Sequence, residues 1–252
     1  MPHDGFTSAR ARTEFLGLTF APLRREAALH AIAARASLSG PFAYVIEAHS
    51  EHVVALDADP ETRAPLHAGA WLTLNGSRLI EMLARIAGFD LPVTKSAAIA
   101  ADLLASAIHP EEAVCVIGGD ASLIAALAAR YGLTNVHWRP VRDASQAESA
   151  AEFVAKTRAR FTFFCEASPL AEMIARAAMN RGDAAGVGLC LAGVETFTNE
   201  KQPWHAGVTE ALRHPARTWA GIARRARMLP IFQYWLFAQL SDRASISARN
   251  AF

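Results

Sequence analysis

Apolar positions follow two alternating patterns along this chain. Short runs rich in β-branched and aromatic residues are bounded by turn or cap residues: Ala43–Ile46, Trp71–Leu74, Ala113–Ile117, Val136–Trp138, Phe161–Cys165 and Gly186–Leu191. Strands buried on both faces have this pattern. Between them lie Ala-rich stretches that predict helices: Arg24–Arg35, Ser77–Ala87, Ser96–Ala107, Ser122–Arg130, Gln146–Thr157 and Pro169–Asn180. Capping chemistry agrees. Ser77 and Ser122 stand at helix starts, Ser168 precedes a proline at a first helical position, and Gly88 and Gly132 supply stops. This alternation predicts βαβ units with right-handed crossovers, hence an α/β protein with a mainly parallel sheet flanked by helices.

After Gly193 the pattern changes. Arg213, Arg217, Arg224, Arg225 and Arg227 form a basic stretch without an acid. Met228, Leu229, Ile231, Phe232, Tyr234, Trp235, Leu236 and Phe237 follow at once. The division expected is an α/β domain over 1–193 and a helical appendage over 194–252. On a helix Arg217, Arg224 and Arg227 share one side, and Phe232, Trp235 and Leu236 make an apolar stripe. Such a tail suits a peripheral, salt-sensitive membrane contact, packing on its own domain, or a second copy of the chain.

Composition narrows the class. With 252 residues, 52% of them hydrophobic and 19% charged, the chain is neither disordered nor a mini-protein that needs staples. A net charge of +1 gives no whole-protein electrostatic case for nucleic acid. Cys115, Cys165 and Cys190 form no CxxC pair, so neither a disulfide framework nor a zinc site is expected, and a reducing compartment fits. The start, MPHDGFTSARART, has no apolar h-region. Met228 to Leu240 is too short for a bilayer and carries Pro230 and two glutamines. A cytoplasmic protein is expected.

Ligands of open parallel sheets bind at the carboxyl ends of strands. The residues there are Glu47 to Glu51 (EAHSE), Asn75-Gly76, Gly118-Gly119-Asp120, Glu166 to Ser168 and Gly193. In VCVIGGDASLIAALAARYG, two glycines between a strand and a helix would let backbone amides approach a phosphate. A tight turn that simply needs glycine accounts for them equally well. Neither GxGxxG nor a P-loop is present. Asp120 would repel a diphosphate unless it points away. Asn75-Gly76 reads, taken alone, as a plain turn. His49 and His52 flank Glu51, but HxxH without a third ligand is a weak metal signal, and no metal is expected. Asp57 and Asp59 suit a turn and a cap.

Taken in order, these segments resemble the WecG/TagA/CpsF family of bacterial glycosyltransferases over roughly residues 15 to 235. The match runs through FLGLTFAPLRREAALHAI, HSEHVVALDADPETR, WLTLNG, VCVIGGDASLIAALAARYGL, CEASPLAEMIARAAMNRG and GVGLCLAGVETFTNEKQPWHAGVTEALRHPARTW. The resemblance implies a Rossmann-like, metal-independent enzyme. It would move an N-acetylhexosamine or related sugar from a UDP donor to a polyprenyl-diphosphate-linked acceptor in cell-surface polysaccharide synthesis. It also implies substrate contacts at Gly76, Gly118, Gly119, Ser122, Ser168, Glu172, Gly186 and Gly188. Membrane or acceptor contacts are implied at Arg213, Arg217, Arg224, Arg225, Arg227 and Trp235.

The chain departs from the family pattern at reactive positions. Asn75 stands where the family has an Asp as candidate base, Ala171 where it has Gln, Lys95-Ser96-Ala97 where it has Gly-Ser-Asp, His49 where it has Asn, and Lys201-Gln202-Pro203 where it has Arg-Ala-Pro. An amide cannot accept the acceptor's proton, and loss of a general base typically costs ~10²–10⁴ in rate. Asn75→Asp is therefore expected to raise turnover. Two functions remain open: an active glycosyltransferase with His49 or Glu51 as substitute base, and a non-catalytic relative that binds a nucleotide sugar or a partner enzyme.

Overall fold

The computed structural model describes residues 12–191, residue 223 and residues 226–249, with the side chains of the last helix described as far as 239. The chain opens with an antiparallel hairpin, β1 (Thr13–Phe15) and β2 (Leu18–Phe20), turning through Leu16 and Gly17, both at positive φ. Then come α1 (Arg25–Arg35), β3 (Ala43–Ala48), α2 (Ser50–Ala58), α3 (Pro60–Ala68), β4 (Leu72–Asn75), α4 (Arg78–Ile86) and α5 (Ser96–Ser106). The second half runs β5 (Val114–Ile117), α6 (Ala121–Tyr131), β6 (Val136–Arg139), α7 (Ala147–Thr157), β7 (Phe161–Phe164), α8 (Leu170–Arg181) and β8 (Val187–Cys190). A separate helix, α9, covers Met228–Arg249.

Six strands form one parallel sheet in the order β4-β3-β8-β7-β5-β6. This is the Rossmann-like α/β architecture that the strand–helix alternation predicts. Alternate residues of each strand feed opposite faces. Val114 and Val116 of β5 join a core with α1, α5 and α6, while Cys115 and Ile117 join a core with α7 and α8. All three cysteines are free and buried.

The structure differs from the sequence reading in four places. The hairpin and the α2–α3 pair were absent from the predicted elements. Asp59 does cap α3, accepting from the Thr62 N–H at 3.2 Å, with Pro60 behind it. Helix α6 begins at Ala121 with Asp120 as its cap, so Ser122 lies inside the first turn rather than before it. Pro169 caps α8 rather than occupying its first turn, and follows a cis peptide bond.

The predicted apolar stripe of the tail is accounted for within the fold. Met228 and Phe232 of α9 are buried with Phe15, Leu18 and Phe20 of the hairpin, Val53 and Leu56 of α2, and Ile80 and Leu83 of α4. Trp235 meets Phe15 edge-on at 4.9 Å. Burying side chains of this size is worth about 1.5–3 kcal/mol each, enough to fix the helix on the domain. The other side of α9 is bare: Leu229, Tyr234 and Phe237 are exposed. Among the described residues no helix is long and apolar enough to cross a membrane. Arg213, Arg217, Arg224 and Arg225, and the 193/194 boundary, lie outside the described residues.

Candidate functional site

The sheet's carboxyl edge carries two polar centres and a buried cluster behind them. The first centre gathers around Glu47, a carboxylate in the otherwise apolar strand AYVIEA and itself buried. Its Oε2 accepts the Ser96 N–H at 2.7 Å and the Ser96 hydroxyl. Its Oε1 faces His49 Nε2 at 3.0 Å and Lys95 Nζ at 3.4 Å. Burial alone would raise the Glu47 pKa. The hydrogen bonds from His49 and Ser96 and the charge of His49 outweigh it, and the pKa falls to about 2.

Gly76 makes this cluster possible. A Cβ there would lie 2.3 Å from Glu47 Oε1 and 2.7 Å from His49 Cε1. Lys95 also donates to the Gly76 carbonyl. His49 and Lys95 reach solvent, with side chains 24% and 51% exposed, so the centre is open on their side. Glu51 sits on the first turn of α2, half-buried, and accepts from the Ser50 hydroxyl at 3.4 Å.

Asn75 is beside this centre but is committed elsewhere. Its Nδ2 donates to the Leu91 carbonyl at 2.8 Å and its Oδ1 accepts the Ser77 N–H at 2.9 Å. The side chain pins the loop that returns from α4 to the sheet. A carboxylate at this position would set an oxygen against the Leu91 carbonyl.

The second centre lies between β5 and β7. Helix α6, after β5, packs on one face of the sheet, and α8, after β7, on the other. That divergence is a topological switch point, where open α/β sheets bind ligands. Gly118 and Gly119 turn here at φ 82° and 70°. Their amides are not bare: Gly119 N–H donates to Glu166 Oε1 at 3.2 Å. A Cβ on Gly118 would lie 2.3 Å from that same oxygen. Trp138 Nε1 donates to the Gly118 carbonyl at 2.9 Å. Asp120 does not point away from the helix start. Its Oδ1 accepts Leu123 N–H at 2.8 Å and the Ser122 hydroxyl at 2.6 Å, which together hold its carboxyl below the usual range. The amides that the sequence reading offered to a phosphate are thus held within the chain, Gly118 N–H by the Arg139 carbonyl at 2.9 Å and Gly119 and Leu123 N–H by carboxylates.

Behind these centres, β3, α2, α3 and α8 enclose a polar cluster. Glu172, in the first turn of α8, is buried with Oε1 3.2 Å from His52 Nε2. His52 Nδ1 accepts the His49 backbone N–H at 3.0 Å. Burial, and then His52, lower the His67 pKa to about 4, so the ring is neutral near pH 7. It stands perpendicular to His52 with ring centres 5.6 Å apart. Among the described residues no three metal-binding side chains come together.

The remaining predicted site residues are dispersed. Gly186 precedes β8 at the opposite end of the sheet, where a Cβ would meet the Ala159 and Arg160 carbonyls at 2.4 and 2.6 Å. Gly188 makes room for Phe164 and Phe42. Both glycines serve packing in this structure. Ser168 is exposed on the β7–α8 loop, and Ala171 is buried in the core. Arg227 is exposed just before α9, whereas Trp235 is tucked against the hairpin.

Sequence reasoning missed Lys95 and Ser96 as partners of Glu47, Glu166 as partner of Gly119, and the His52–Glu172 pair. One signal was readable: a lone acid inside an apolar strand, as Glu47 is, must find buried partners.

Fold and edge together define an α/β protein with its polar centres at the carboxyl ends of a parallel sheet. Most of the chain, residues 13–206, matches the glycosyl transferase WecG/TagA/CpsF family, and the chain belongs to that family. A comparison with curated proteins finds no significant match.

Proposed function

We propose that the chain transfers a hexosyl or N-acetylhexosaminyl group from a UDP-sugar to a polyprenyl-diphosphate-linked acceptor in cell-surface polysaccharide synthesis, with His49 as the base. The supporting observation is the His49–Glu47 contact beside Gly76, open to solvent on the His49 side. With Nε2–H directed at Glu47, the ring takes the acceptor's hydroxyl proton at Nδ1, the nitrogen that faces the His52 N–H in the helix cap, as the oxygen attacks the sugar's anomeric carbon. The Glu47 carboxylate stabilises the imidazolium that forms. Lys95, held on the same carboxylate, faces the negative charge that grows on the departing diphosphate.

The donor then lies with its sugar and diphosphate toward Lys95 and its nucleoside toward the switch point. Glu166 and Asp120 repel phosphate but accept hydrogen bonds from a ribose diol. Strand β7 is two strands from β3, about 10 Å at ~4.8 Å per strand, comparable with a nucleoside diphosphate. The exposed side of α9, with Leu229, Tyr234, Phe237 and Arg227, is the part of the described chain suited to a membrane bearing the acceptor.

A second reading is a non-catalytic relative. Asn75 supports it, because the position that carries the family's candidate base is spent on holding a loop. Calorimetry with UDP-sugars, paired with a turnover assay, separates the two. Donor binding with turnover that His49→Ala removes supports the enzyme. Donor binding without turnover supports the non-catalytic relative.

A further inference from the structure

We infer that Glu172 and His52 form a buried positioning pair that fixes the His49 main chain, and that Glu172 does not contact substrate. This rests on the reading of His49 as base. His49 N–H points at His52 Nδ1 at 3.0 Å, so that nitrogen carries a lone pair. A neutral His52 therefore has its proton on Nε2. That N–H is directed at Glu172 Oε1, 3.2 Å away, and a carboxylate can only accept. The donors thus run in one sense, from the His49 amide to His52 to Glu172, and no other tautomer of His52 satisfies both ends.

Burial makes the chain of bonds stiff. Glu172 is 3% exposed and His52 9%, so water does not compete for either partner. His49 is the cap residue of α2, and its amide direction sets the entry of the chain from β3 into that helix. Its Cα carries the imidazole that meets Glu47. Through His52, the start of α8 thereby sets the position of the His49 ring against the first centre. The same β7–α8 segment carries Glu166 on the Gly119 amide, so one loop supports both centres. Around metal ligands, removing a hydrogen-bonded partner of this kind typically costs about 10–100-fold, and a loss of that order is expected here.

The test uses the full chain, imidazole ¹⁵N spectra, calorimetry with a UDP-sugar and, where turnover is measurable, kcat and KM. His52 is expected to show protonated Nε2 and unprotonated Nδ1 near neutral pH. In Glu172→Leu the Nε2 part of that signature shifts as its acceptor is removed, the His49 ring resonances move, and kcat falls about 10–100-fold with donor affinity within about twofold of wild type. Glu172→Gln keeps an acceptor oxygen and restores the signature and most of the kcat. His52→Asn places an amide oxygen near the Nδ1 position and retains more activity than His52→Leu. Should Glu172→Leu fail to fold, Glu172→Gln decides alone: unchanged donor affinity supports the pair, and a large loss overturns it. A protonated Nδ1 on His52, or a large fall in donor affinity with unmoved His49 resonances, also overturns it. The spectra and calorimetry need no turnover, so an inactive wild type sinks the proposed function while these readouts still decide on the pair.

Discussion

The two polar centres at the sheet's carboxyl edge are both built on a carboxylate that crowds a glycine, yet their charge balance differs. At the β3–β4 end, Glu47 is buried and met by His49 and Lys95, both of which reach solvent. At the β5–β7 end, Glu166 and Asp120 are held by backbone amides and a hydroxyl. A buried carboxylate with a solvent-facing lysine offers positive charge outward. Carboxylates seated on amides offer negative charge outward. A ligand with one anionic part and one hydroxyl-rich part has only one favourable orientation across such an edge.

The sharpest way to break the comparison is to remove the base. His49→Ala is expected to lower turnover by ~10²–10⁴ with little change in donor affinity, as deletion of a general base does. Unchanged turnover would remove the chemistry from the first centre. Gly76→Ala is the next test, read as stability and activity together. Its methyl would overlap Glu47 Oε1 and His49, so Glu47 must leave its partners, with a destabilisation of about 3 kcal/mol as for a broken buried ion pair. Alanine tolerated without loss would show that the cluster is loose.

Acid should separate a buried cluster from an open one. Glu47, at about 2 when folded against an ordinary 4.5, contributes stability that is complete above about pH 4.5 and lost between there and pH 2. His67 acts earlier. The unfolded chain takes up a proton below about 6.5 that the half-buried ring refuses until about 4, so stability falls across that range. Each step is of the order of 3 kcal/mol. Urea midpoints measured against pH should decline in these two stages, and His67→Leu should flatten the upper one. A flat profile from pH 6.5 to 4 would place His67 in water.

Asn75→Asp has a smaller expected effect, and its sign differs from the one the family comparison suggested. The new carboxylate loses the donor to Leu91 O and faces that carbonyl instead, a cost of about 1–3 kcal/mol. Thermal melting should show destabilisation without a gain in turnover. A clear rise in turnover would mean that the loop rearranges to free the side chain.

Hydrophobic pattern made the six-stranded sheet legible, because parallel strands buried on both faces are apolar throughout. The hairpin was not, since three-residue strands leave almost no pattern. Strand ends located the candidate site, and EAHSE and Gly118-Gly119 lie at it. Partnership was hidden. Ser96 and Lys95 reach Glu47 across |i−j| near 49, and Glu172 reaches His52 across 120. Only the fold brings such residues together. Spacing shows that a glycine lets something approach closely, but not what approaches. At Gly118 it is the chain's own Glu166.

The smallest effect distinguishes the two centres most directly. Glu166→Gln keeps the oxygen that accepts from Gly119 and removes only the charge, so the turn should survive. If the ribose diol lies there, its hydroxyls lose a charged acceptor, and donor affinity should fall several-fold, since hydrogen bonds to ionised groups are roughly twice as strong as neutral ones. If the diphosphate lies there instead, a repulsive charge is gone and affinity should rise, more at low salt than at high. A several-fold loss of UDP-sugar affinity, nearly independent of salt, is the result expected from the orientation proposed. A salt-sensitive gain would reverse that orientation and return the phosphates to the glycine turn.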